Sequence, residues 1–197
     1  MNNAIGVFDS GVGGLTVARE IMRQLPNETI YYFGDVKNCP YGDKTKEEII
    51  KNTDRAIKFL IDKGVKLVVL ACNTATAAAL EYLQSKYEVP IIGVVQPGAR
   101  RAIQATENNK VLVLGTKFTA NSKVYDIEIE NINSDIIELE VDSKSKFDSI
   151  SLFFFSSNSF LSISCSSSCL SLVSYSFCIF FLLFSIILID TSLKIFN

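Results

Sequence analysis

No histidine occurs anywhere in this 197-residue chain. Its absence removes the commonest general base near neutral pH and the commonest transition-metal ligand, so any acid–base chemistry falls to cysteine, carboxylate, lysine or tyrosine. Cysteine is present five times but never as CxxC, which argues against a zinc site, and without a secretory context a disulfide framework is not expected either. Charge of one sign is also missing. Nineteen basic residues face 21 acidic ones, the net charge is −2, and no basic patch of the kind that holds nucleic acid stands out. The opening MNNAIGVFDSG has neither the charged n-region nor the apolar h-region of a secretory leader, so a cytoplasmic protein is expected.

What is present is a regular alternation. Ala4 to Phe8 (AIGVF) reads as a buried strand, and the glycine-rich turn from Asp9 to Gly14 leads into a helix whose core face is expected at Leu15, Ala18, Met22 and Leu25. Thr29 to Phe33 is a second strand. Thr45-Lys-Glu-Glu48 has the capping-box pattern that opens a second helix, with Ile49, Ala56, Phe59 and Leu60 facing inward and Gly64 as its stop. A third strand is expected over Lys66 to Ala71, a helix over Ala75 to Tyr87, a strand over Pro90 to Val95, a helix over Gly98 to Thr106 and a strand over Lys110 to Leu114. Strands apolar on both faces that alternate with helices imply an α/β fold, a parallel sheet flanked by helices. Ligands of such sheets sit beyond the carboxyl ends of the strands. Those ends carry Asp9-Ser10, Gly34-Asp35 with the turn Pro40-Tyr41-Gly42, Cys72-Asn73-Thr74 and Gly115-Thr116.

Beyond about Asp142 the composition changes. Every glycine lies at or before Gly115, every proline at or before Pro97, and no charged residue occurs between Ser149 and Ile189. The run Phe177 to Ile189 is almost wholly apolar but shorter than the roughly 20 residues of a membrane span. The expectation is that the Ser/Phe-rich segment 143–197 does not continue the fold. A change of reading frame or mistaken gene structure is favoured, and a membrane hairpin or anchor is the alternative.

Two segments carry candidate chemistry. The Asp9–Gly14 loop does not have the spacing of a dinucleotide or P-loop fingerprint. A strand-to-helix turn of this kind nevertheless offers backbone N–H groups to an anion such as a carboxylate, with Asp9 able to hold an ammonium and Ser10 adding a hydroxyl. Cys72 ends an apolar run and precedes a helix (LVVLACNTATAAA, Leu67 to Ala79). The first amides of that helix are expected to lower the thiol's pKa toward neutrality, which would make it a usable base. The competing reading of Cys72 is a small buried hydrophobe. Cys39, beside Pro40, is taken as filler.

DSGVGGLTV at Asp9 to Val17, PYG at Pro40 to Gly42 and ACNTATA at Ala71 to Ala77 resemble, in order and in register with the α/β pattern, three signature segments of the glutamate racemases, within the aspartate/glutamate racemase superfamily. GTKFTANS at Gly115 to Ser122 resembles the next such segment. The resemblance covers about Met1 to Ile129. It implies a cofactor-independent enzyme, without metal, that interconverts L- and D-glutamate and supplies D-glutamate for peptidoglycan. It also implies a first racemase domain over 1–96, the start of a second over 97–142, and a homodimer as a possible state of the intact family member. Two cysteines on opposite faces of the substrate α-carbon would move the proton. Cys72 matches the first, with Asp9 beside it; Asp9, Ser10, Tyr41, Gly42, Asn73, Thr74 and Thr116 match substrate-binding positions. The second belongs to a Gly-Cys-Thr-His segment that this chain does not contain, and Cys165, Cys169 and Cys178 do not match it. The expectation is therefore a chain with impaired activity. The alternatives are a catalytically dead fragment serving as a binding module, or a relative acting on another substrate, such as aspartate racemase or hydantoin racemase.

Overall fold

The computed structural model describes residues 3–106, 109–134, 137–142, 150–156 and 159–165. Four parallel strands form the central sheet in the order β2-β1-β3-β4, with β1 over Ile5–Asp9, β2 over Ile30–Gly34, β3 over Leu67–Leu70 and β4 over Ile91–Gly93. The crossovers are helical: α1 (Leu15–Gln24), α2 (Lys46–Asp62) and α3 (Asn73–Lys86). Strand β1 is buried along its whole length because its side chains alternate between two packed faces. Phe8 joins Ile49, Ile57, Leu60, Leu70 and Leu83 on the α2/α3 side, whereas Ile5 and Val7 join Val17, Ala18, Ile21 and Val69 on the α1 side.

The local signals act as the sequence implies at α2. Thr45 Oγ1 accepts from the Glu48 amide at 3.3 Å while the Glu48 carboxylate accepts from the Thr45 amide at 3.0 Å, and Gly64 follows the helix with a φ of 80° that favours glycine. Ile49, Ala56 and Leu60 are buried as expected. Phe59 is instead about half exposed, its ring meeting the edge strand's Phe33 at 5.5 Å.

The inner face of α1 differs from the expectation. Val17, Ala18 and Ile21 are buried, whereas Leu15, Met22 and Leu25 are 50, 50 and 42% exposed. A single helix lying on a sheet buries only a narrow stripe, and at about 100° per residue Leu15 and Met22 fall roughly a quarter-turn to its side.

After β4 the chain forms α4 (Val95–Ala105), β5 (Lys110–Gly115), α5 (Lys117–Ser122), α6 (Val124–Ile132) and β6 (Ile137–Asp142). Strand β5 does not extend the first sheet. It pairs in parallel with β6, from Lys110↔Ile137 to Gly115↔Asp142. A separate core of Val95, Ala99, Tyr125 and Ile129 sits beneath α4 and α6. The segment expected not to continue the fold holds an antiparallel strand pair, β7 (Ile150–Ser156) with β8 (Ser159–Cys165). Strand pairing is made by backbone groups and does not require alternating side chains. No helix among the described residues is long and apolar enough to cross a membrane. The apolar run 177–189, together with the anchor and reading-frame expectations that rest on it, lies outside the described residues.

Candidate active site

The parallel register brings the carboxyl ends of β1, β2 and β3 level, with Asp9 opposite Gly34 and Phe8 opposite Leu70. Asp9 is almost fully buried, and the amide of Gly11 donates to its Oδ2 at 3.0 Å. Amides of Gly14, Ser10 and Gly13 also stabilise its charge, yet burial outweighs them and raises the carboxyl pKa. The glycine loop must be this tight: a Cβ built on Gly14 would lie 2.6 Å from the Asp9 Cβ and 2.9 Å from the Ala71 Cβ. The glycines thus wrap the loop around a carboxylate of its own chain. Tyr32, on the neighbouring strand, donates its hydroxyl to the Gly11 carbonyl at 3.1 Å and fixes the loop from outside.

Cys72 stands between β3 and α3 as the cap of the helix. Its sulfur accepts from the Ala75 amide at 3.4 Å, and its thiol donates to Ser10 Oγ at 3.4 Å. Asp9, Ser10 and Cys72 therefore meet at the ends of adjacent strands. The thiol's acidity departs from expectation. Burial, and next the Asp9 charge, push its pKa from 9.0 up to about 11 despite hydrogen bonding with Ser10 and the Ala75 amide, which acts the other way. The helix amides act in the direction expected but are outweighed, because a buried thiolate beside a carboxylate is penalised twice. Burial and the neighbouring carboxylate thus hold Cys72 as a protonated thiol at neutral pH.

Asn73 and Thr74, read as a loop preceding the helix, are the first residues of α3. Thr74 Oγ1 lies 2.9 Å from Thr116 Oγ1 and 3.3 Å from Thr119 Oγ1, and the latter two are 3.1 Å apart, so three hydroxyls meet where α3 and α5 touch. Gly42 packs on the same spot: a Cβ there would lie 2.6 Å from the Thr116 Cβ, and the Gly42 carbonyl accepts from the Phe118 amide at 3.3 Å. Only glycine permits that approach.

The Tyr41 side chain points into the core, 2% exposed, and donates its hydroxyl at 2.7 Å to Asp35. Burial and this hydrogen bond raise its pKa. Asp35, also buried, accepts further from Asn38 at 2.8 Å and from Arg55 at 3.4 Å, and its amide donates to the Asp9 carbonyl at 2.9 Å. The Tyr41 phenol is thus occupied, and what the turn offers a ligand is its backbone beside Gly42.

Sequence reasoning left Asp35, Thr119, Tyr125 and Tyr32 without roles. Tyr125, on α6, donates to Asn73 Oδ1 at 2.8 Å. Asp35 lies in the strand-end pair Gly34-Asp35 and Thr119 in GTKFTANS, so both sat in segments already singled out; Tyr32 and Tyr125 sit in ordinary strand and helix patterns that give no such signal. Cys39 is exposed and lies by Gly11, where a Cβ would be 3.4 Å from its sulfur; burial, Asp9 and Asp35 raise its pKa.

A parallel α/β sheet whose strand ends gather a carboxylate, a hydroxyl and a helix-capping thiol defines an α/β protein with a thiol-centred site. The comparisons place it more narrowly. The family model described as Asp/Glu/Hydantoin racemase matches residues 5–145, and the chain belongs to this family. It is 57% identical over 136 residues to the glutamate racemase of Staphylococcus epidermidis, which covers 69% of this chain and 51% of that protein. Among solved structures, a glutamate racemase isoform from Bacillus anthracis superposes with a TM-score of 0.68 at 45% identity, over 70% of this chain and 52% of that one. The glutamate racemase of Francisella tularensis in complex with D-glutamate gives 0.65 at 41% identity, over 71 and 52%. The chain spans about half the length of the relatives it matches.

Proposed function

We propose that this chain is the amino-terminal part of a glutamate racemase, an enzyme that interconverts L- and D-glutamate without a cofactor and supplies D-glutamate for peptidoglycan in the cytoplasm. The observation that carries this reading is the meeting of Cys72, Asp9 and Ser10 at the strand ends of a chain so similar to glutamate racemases. In this reading Cys72 is the acid–base group. Its thiolate takes the α-proton, the electron pair is left on the α-carbon, and a proton returns to that carbon to complete the cycle. Asp9 holds the substrate ammonium. Ser10, the backbone at Tyr41 and Gly42, and the side chains of Asn73, Thr74 and Thr116 hold the two carboxylates.

The raised thiol pKa gives the ammonium a second task. A positive charge beside the thiolate offsets the Asp9 charge that helps to raise the thiol pKa. Binding of the substrate itself would thus make the base available.

Inversion needs a second proton donor on the opposite face, and one thiol cannot reach both faces of a carbon held in a close-packed site. Residues 1–96 and 97–142 correspond in this reading to a first domain and the beginning of a second, and 143–197 supplies no matching cysteine segment. The chain alone is therefore expected to exchange the α-proton of one enantiomer without inverting it. The test is α-proton exchange of L- and D-glutamate in heavy water, with chiral analysis of the product. Exchange of one enantiomer, abolished in Cys72→Ser, supports the reading; exchange that persists in the variant removes Cys72 from the mechanism. Weak glutamate binding with no exchange at all would favour the binding-module alternative.

A further inference from the structure

An asparagine amide can present either its oxygen or its nitrogen to a ligand, and the choice decides whether an ammonium or a carboxylate is welcome. At Asn73 the oxygen is engaged from another part of the chain. Tyr125, buried on α6 with Val95, Ala99 and Ile129, sends its hydroxyl across to Asn73 Oδ1 at 2.8 Å. With Oδ1 engaged, the free end of the amide is Nδ2, which has no acceptor among the described residues. Asn73 is half-buried at the head of α3 and follows Cys72 in the chain. Gly98 leaves room for the tyrosine: a Cβ there would lie 3.1 Å from its hydroxyl.

We infer that Tyr125 is a positioning residue that holds the Asn73 side chain by its oxygen and leaves Nδ2 to donate to an anionic oxygen, the carboxylate of an amino-acid ligand. The inference rests on the proposed function for the identity of that ligand and on the hydrogen bond alone for the positioning. The Tyr125–Asn73 bond is one of several that cross between the first sheet and the elements after β4, alongside Thr74–Thr116 and Gly42–Phe118.

The experiment uses the full chain and the variants Tyr125→Phe, Asn73→Ala and their double. Phenylalanine retains the buried ring and removes only the hydroxyl. Two readouts are taken: glutamate affinity by NMR titration, and the position of the Asn73 side-chain amide proton pair in the free protein. Tyr125→Phe is expected to move that proton pair and to weaken glutamate binding about threefold to tenfold, the scale of one hydrogen bond. In the Asn73→Ala background it should change affinity no further. An equal loss in both backgrounds, or a proton pair unmoved in Tyr125→Phe, overturns the inference. If the unmodified chain does not bind glutamate, the proposed function falls, and the proton pair still decides the positioning: movement supports the tether, and no movement refutes it.

Discussion

Replacing Asp9 by asparagine separates two effects that act in opposite directions on the same thiol. In the structure the Cys72 pKa stands at about 11, with burial the larger cause and the Asp9 charge the second. Burial survives the substitution and the charge does not. Two unit charges at an effective dielectric of 20 repel by about 4 kcal/mol at 4 Å and about 2 kcal/mol at twice that distance. Opposing hydrogen bonds and the burial that remains hold the outcome to the lower part of that range, so Asp9→Asn should lower the thiol pKa by about one to two pH units and raise the thiolate fraction at neutral pH about 10- to 100-fold. The assay is the pH dependence of iodoacetamide labelling at Cys72, followed by peptide mass analysis so that the other cysteines do not contribute. Under the proposed function, a thiol made more reactive toward the alkylating agent should nevertheless be a poorer catalyst of glutamate α-proton exchange, because the carboxylate proposed to hold the ammonium is gone. Labelling midpoints that coincide in the two proteins would show that the Asp9 charge does not reach the sulfur. A midpoint below 9 in the unsubstituted protein would refute the argument more deeply, since the helix amides would then outweigh burial.

Gly14→Ala would force a Cβ to within 2.6 Å of the Asp9 Cβ and 2.9 Å of the Ala71 Cβ, neither able to swing aside, so urea unfolding should show a loss of about 1–3 kcal/mol. Tyr41→Phe removes the 2.7 Å donor to buried Asp35, and the same measurement should show about 1–3 kcal/mol lost. Because the folded-state pKa of Cys72 is raised above its ordinary 9.0, its contribution to stability is full below pH 9 and is lost as pH rises toward 11. Cys72→Ser should therefore flatten the alkaline fall in stability by up to roughly 3 kcal/mol between pH 9 and 11, read as the difference between the two denaturation curves.

The elements that were legible in the sequence are those whose cause is local or periodic. The α2 start was readable because both halves of its capping box lie within Thr45–Glu48, and the parallel sheet because β1 and β3 are apolar on both faces. The α1 stripe was not. Leu15, Met22 and Leu25 satisfy a helical period as well as Val17, Ala18 and Ile21 do, and only the way the helix leaves Gly14, pressed between Asp9 and Ala71, selects one set over the other. The separate pairing of β5 with β6 was hidden for a related reason: an apolar strand does not state its neighbour.

The site divides along the same line. Position was legible, since strand ends of a parallel sheet must converge, and Asp9, Ser10 and Cys72 do. Polarity was not, because it is a sum over partners distant in sequence. The α3 amides alone would make Cys72 an acidic thiol, while burial and the charge from Asp9, 63 positions earlier in the chain, reverse the sign. Tyr41 offered a phenol to a ligand until Asp35 claimed it, and Asn73 could have met either charge until Tyr125 claimed its oxygen. In each case a polar group of the candidate site has one face already spoken for by a buried partner. Under the proposed function, the Asp9 carboxylate, the Ser10 hydroxyl and the Asn73 Nδ2 donor then suit a zwitterion with one ammonium and more than one carboxylate. A ligand with a single carboxylate would leave part of that donor set unmet inside a buried site. Affinity should therefore fall from glutamate to alanine by more than the lost contact area alone would remove.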